Sequence, residues 1–178
     1  FSTSGYHRSA NEIARRSTLG LHTVGLNMAY NQRFVNVGVT AYNGFFSLPA
    51  VVGVDDWSAN DFVGNYQWGI SLDYGFHKNR VWLSGETALV QGLSVATTNS
   101  LLIRPLGELQ FALNHRYFSP RYHAFWANAS SSLSGVNGEH GASFAMQVPV
   151  GKSKNLSFLA DVYKSLWAST TMSDLQIG

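Results

Sequence analysis

The 178-residue chain contains no cysteine, which excludes disulfides, thiolate metal sites and cysteine nucleophiles. Charge is scarce too: 12% of residues are Asp, Glu, Lys or Arg, about half the share usual in soluble domains. The net charge of +2 is too small to point to nucleic acid. No apolar run reaches the length of a transmembrane helix, because Gly, Asn, Ser and Thr interrupt every stretch. Phe1-Ser2-Thr3-Ser4-Gly5 lacks the basic and then apolar regions of a secretory leader.

What is abundant is glycine and aromatic side chains: 17 Gly, 11 Phe, 8 Tyr and 5 Trp. The pattern is clearest in the stretch from Tyr66 to His77. Tyr66, Trp68, Ile70, Leu72, Tyr74 and Phe76 alternate with Gln67, Gly69, Ser71, Asp73, Gly75 and His77. Successive strand side chains point to opposite faces, so one wall is apolar and the other polar or small. The apolar wall is aromatic at both ends and aliphatic in the middle, as a membrane-spanning β-strand requires. Low charge, abundant aromatics and a mean hydropathy near zero suit such a strand set, since alternation hides the apolar face in the average.

Eight strands are predicted: Leu19–Tyr30, Phe34–Phe46, Tyr66–His77, Val81–Gln91, Val95–Arg104, Glu108–Phe118, Ala142–Val150 and Leu156–Trp167. Connections after the first, third, fifth and seventh are short. Those after the second and sixth, Ser47–Asn65 and Ser119–Gly141, are long. The pattern predicts an all-β, antiparallel, up-and-down transmembrane barrel with short turns on the periplasmic side and long loops outside. On that rule residues 1–18 form an outer loop, residues 19–167 the strands and residues 168–178 an irregular tail or outer loop. Both ends then lie outside, whereas complete barrels of this type keep them in the periplasm, so the strands are expected to belong to a larger barrel. Ser9-Ala10-Asn11-Glu12 has the form of a capping box and predicts a short helix in the first loop.

In such a barrel Asp73, Glu86, Gln110, Asn114, Arg116, Gln147 and Asp161 face the lumen, where charge is tolerated, and there carboxylates and arginine can pair. That interior is either a polar pathway or a filled network. His22, His77, His115 and His123 show no H-x-x-x-H or H-E-x-x-H spacing, so no metal motif exists. Ser84 and Glu86 share a face and His140 follows Glu139, but no G-x-S-x-G elbow occurs. A non-enzymatic chain without cofactor is expected. Trp57, Trp126 and Trp167 fit an interfacial aromatic belt. Arg15, Arg16, Arg121 and His123 fall in outer segments where lipid phosphate, a partner or a polyanion could meet them.

Several short strings carry a family resemblance. They are Gly5-Tyr6-His7-Arg8, Asn11-Glu12-Ile13-Ala14-Arg15-Arg16, Ser84-Gly85-Glu86, Tyr117-Phe118-Ser119-Pro120-Arg121-Tyr122-His123, and Asn137-Gly138-Glu139 with Gly141. In this order, over roughly Ser4 to Trp167, the chain resembles the barrel region of large Bacteroidota outer-membrane proteins that carry a competence-like helix-hairpin-helix segment near their N-terminus. The resemblance implies a bacterial outer-membrane location, contact with the lipid bilayer and other outer-membrane proteins, and a pore, transport or scaffold role. The helix-hairpin-helix segment, absent from these residues, implies DNA contact and a DNA-uptake alternative. A soluble lipocalin-like barrel with its apolar faces turned inward is the other alternative.

Overall fold

The structure, a computed structural model, describes residues 19–50, 62–122, 138–151, 154–166 and 175–177. The expected capping-box helix, Trp57, Trp126, Trp167 and His123 lie outside the described residues. Among the described residues nine strands form one sheet: β1 (Leu21–Asn31), β2 (Val35–Ala50), β3 (Gly64–Lys78), β4 (Val81–Val90), β5 (Ser94–Ile103), β6 (Gln110–Phe118), β7 (Glu139–Val150), β8 (Lys154–Ser165) and β9 (Leu175–Ile177). Their spatial order is their chain order, and every neighbouring pair is antiparallel.

The strands depart from the predicted ones at their ends. β2 continues past Phe46 to Ala50 through a register shift, the local irregularity by which a strand extends beyond its regular ladder. β6 starts at Gln110 rather than Glu108, because the Leu109 amide donates to the Leu106 carbonyl at 3.0 Å and closes a turn. β7 begins at Glu139, inside the expected loop, and pairs there with Phe118. A three-residue strand, β9, occupies part of the expected irregular tail. The sheet is open: among the described residues β1 pairs with β2 and β9 with β8, and the two edges do not pair with each other.

Directly paired residues share a face, so the pairings divide every strand between two walls. One wall carries Gln67, Val90, Ser94, Ala96, Phe118 and Glu139, all buried. A single-layer sheet shields one face only by curling around it, so this wall is concave. The opposite, convex wall holds Val24, Leu26, Met28, Phe45, Ile70, Leu72, Leu113, Phe144, Phe158 and Val162, all exposed.

The stagger between strands accumulates in one direction. Ala29, Gly38, Asp73, Glu86, Thr98, Arg116, Gly141 and Tyr163 form one paired row across the sheet. The row begins near the Asn31 end of β1 and finishes near the Ser165 end of β8, which face opposite edges of the sheet. This is the cumulative stagger of a twisted, coiled sheet.

Glycine on the concave wall is a socket for neighbouring side chains. The Tyr42 ring lies where a Cβ on Gly69 would stand, Asn36 lies over Gly75, and the Asp73 carboxylate lies over Gly38. Glycine in a strand interior often marks such close approach. A branched residue at Gly69 should displace Tyr42, so Gly69→Val should cost about 1–3 kcal/mol in urea unfolding. Gly25, whose added Cβ would make only ordinary contacts, should tolerate alanine at about 0.5 kcal/mol or less.

Candidate functional site

Asp73, Glu86, Gln110, Asn114, Arg116, Gln147 and Asp161, the residues expected to face a lumen, lie on one face of the sheet, the concave one. Asp73 pairs directly with Glu86, and Gln110 with Gln147. Asn114 accepts from the Ser100 hydroxyl at 2.7 Å and donates to that of Ser143 at 3.2 Å. Like charges placed directly opposite repel, and among the described residues neither Asp73 nor Glu86 forms an ion pair.

The arginine is the centre of the site. Arg116 on β6 reaches across β7 to β8, where Nη1 and Nη2 donate to the two Asp161 carboxylate oxygens at 2.8 and 2.9 Å. Its Nε donates to Glu139. This planar fork suits a bidentate carboxylate partner. The route over β7 exists because residue 141 is glycine: a Cβ there would stand 2.8 Å from the guanidinium carbon. The Tyr163 ring lies 5.9 Å from that carbon on the far side. The Arg116 and Glu139 side chains are 11% and 1% exposed, whereas Asp161 keeps 30% exposure. Three strands are therefore tied by one cation.

Glu139 was expected in a loop. Asn137-Gly138-Glu139-His140-Gly141 has turn composition, and pairing with Phe118 on one side and Ser165 on the other makes Glu139 a strand residue. Gly138, with φ of 78°, supports this entry: a Cβ there would stand 2.9 Å from Pro120.

The residues just after β6, Ser119 to Tyr122, pack at the end of the concave wall. The Tyr122 amide donates to Ser119 at 3.0 Å, and the Tyr122 ring packs 6.3 Å from that of Phe118. Ala88, Val90, Ala96, Phe118 and Tyr122 form one buried cluster. Burial, and then neighbouring Tyr42 and Glu86, push the Tyr122 phenol up to about 12. The opposite end is rimmed by Arg33, Lys78, Arg80, Arg104 and Lys154. There Trp82 stacks on His77 at 4.9 Å, and the Arg104 guanidinium lies 4.8 Å over the Trp82 ring.

Among the described residues no group of three or more His, Asp or Glu is placed to hold a metal. Ser84 and Glu86 share the concave face, but His140 lies on the convex one, so the three do not converge. No protein-family model, curated protein or solved structure matches this chain.

Two outcomes follow from this geometry. Arg116→Met leaves Glu139 buried without its cation and should lower stability by about 3–5 kcal/mol. Adding Glu139→Leu to that variant should recover most of the loss, read by chemical unfolding as a double-mutant cycle. The raised Tyr122 pKa means that the folded state holds this proton more tightly than the unfolded chain, whose tyrosines titrate near 10. Stability from this group is full below about pH 10 and falls as the pH rises toward 12. Tyr122→Phe should remove that alkaline loss and the last tyrosine to ionise in an ultraviolet titration.

Proposed function

We propose that these strands are part of an integral β-barrel of the bacterial outer membrane, serving a non-enzymatic pore, transport or scaffold role. The observation that carries this reading is the inversion of the two faces. The Arg116–Glu139 ion pair, Gln67 and Ser94 are shielded on the concave wall, and most of the exposed large apolar side chains lie on the convex wall. Water penalises such an exposed face, and lipid rewards it. A lipocalin-like barrel needs its apolar wall on the inside, and here that wall faces out.

Dimensions and belts support the same reading. A strand of ten to twelve residues tilted about 40° rises roughly 25–30 Å, the height of a bilayer's apolar band. On the convex wall Phe45, Tyr66 and Trp68 stand toward one end of the strands, and Tyr30 and Phe76 toward the other. The Phe45 and Tyr66 rings pack at 4.9 Å. Aromatic side chains favour both bilayer interfaces. The basic rim of Arg33, Lys78, Arg80, Arg104 and Lys154 then meets water and anionic headgroups.

In this reading the concave wall is the lumen. Asp73, Glu86, Glu139 and Asp161 outnumber Arg116 there, so the interior favours cations over anions. The buried cluster around Tyr122 narrows the long-loop end.

The reading is tested by solubility and sidedness. The chain should require detergent or lipid to remain monodisperse; a stable, monodisperse protein in plain buffer would overturn it. Cysteines at Leu93 and Leu106, both exposed and on connections at opposite ends of the strands, should react with an impermeant thiol reagent from opposite sides of a proteoliposome. Any conductance in planar bilayers should be cation-selective and lose that selectivity in Asp73→Asn/Glu86→Gln.

A further inference from the structure

The convex wall is not uniformly apolar. A chain of polar contacts crosses it from β3 to β7. The Tyr74 hydroxyl donates to Asn99 Oδ1, Asn99 Nδ2 lies 3.2 Å from His115 Nδ1, and His115 Nε2 lies 3.1 Å from His140 Nε2. Gly85 makes room for the start of this chain, since a Cβ there would stand 2.6 Å from both Tyr74 and Asn99. His115 pairs with Ala142 and His140 with Tyr117, so the two imidazoles are diagonal neighbours on adjacent strands. Their rings are nearly perpendicular, at 88°, and the Tyr117 ring meets His140 edge-on.

We propose that His115 and His140 form a two-histidine site for a divalent transition metal of the zinc, nickel or copper class, with Asn99 as the residue that positions His115. The two Nε2 atoms stand where two ligands of one ion stand. Imidazole nitrogens bind such ions at about 2.0–2.1 Å. A separation of 3.1 Å then corresponds to a ligand–metal–ligand angle of roughly 98°, between the octahedral and tetrahedral values. Without metal, one proton lies between the two nitrogens: His115 carries it on Nε2 and accepts from Asn99 at Nδ1. With metal, His115 carries its proton on Nδ1 and offers the Nε2 lone pair. Turning the Asn99 amide over presents Oδ1 to that proton and Nδ2 to the Tyr74 oxygen, and the Thr97 hydroxyl, which accepts from Nδ2 at 3.3 Å, turns to donate to Oδ1 instead. Such a held second nitrogen is the usual support of a metal-ligating histidine. No third His, Asp or Glu joins the pair among the described residues, so exogenous ligands fill the remaining coordination positions. Bound metal would staple β6 to β7 near the long connection between them. The site stands whether the convex wall meets lipid or water.

The test is titration of the chelator-stripped full chain with Cu2+, followed by electron paramagnetic resonance. One copper per chain should appear with hyperfine structure from two imidazole nitrogens. His115→Ala and His140→Ala should each lose the two-nitrogen spectrum and bind at least tenfold more weakly. Asn99→Leu retains both ligands and should weaken binding by roughly tenfold, and His22→Ala should change nothing. Lys164 pairs across from His140, and removing its charge in Lys164→Met should tighten binding by about two- to threefold. Binding by either histidine variant within threefold of the parent overturns the site. Unchanged binding in Asn99→Leu overturns its positioning role and with it the claim of a built site.

Discussion

Register is the constraint on which everything else in this protein depends. Each long ladder keeps paired residues on one face of a single-layer sheet, as in Asp73 with Glu86, Asn114 with Ser143 and Leu113 with Phe144. Because the side-chain period of a strand is two, a slip of one residue exchanges the walls. Such a slip at β6 would carry Arg116 to the convex side, away from Glu139 and Asp161, and would strand two carboxylates on the concave one. The ion pairs are therefore both a product of the register and a lock on it. Arg116 adds to that lock by joining β6 to β8 over an intervening strand.

A curved single layer must fill its concave side without a second sheet or a helix. Here long polar side chains lie flat over glycines of the neighbouring strand, as Tyr42 does on Gly69, Asp73 on Gly38 and Arg116 on Gly141. This arrangement shields a charge from solvent while keeping it hydrogen-bonded, which is the condition for burying it at all. It also gives the abundance of glycine a structural meaning beyond turns. Phe118 and Tyr122 close the same wall at one end with apolar contact, so the interior grades from ion pairs to aromatic packing.

The strand set and the division of walls were legible in the sequence because both follow from local alternation, and Tyr66 to Phe76 shows it without interruption. The same alternation placed Asp73, Glu86, Arg116 and Asp161 on one wall. Strand ends were less legible. Glu139 reads as loop because its neighbours are Gly138 and Gly141, and its strand character comes from pairing with Phe118 and Ser165, both far away in sequence. The tail strand β9 has no propensity of its own to announce it and forms by adding to an existing edge. His115 and His140 belong to no spacing motif because they meet diagonally across two strands joined by a long connection.

The sequence by itself determined that this chain is a set of amphipathic antiparallel strands with one charged and one apolar wall. Side-chain direction in a strand is a local property, repeated every second residue. Only the tertiary structure decided that the charged wall is the concave one, that Arg116 reaches Asp161 over Gly141, and that the His115 and His140 rings come within 3.1 Å of each other. Those outcomes depend on curvature, shear and cross-strand register, which arise from pairing between segments distant in the chain and are encoded in no single one of them.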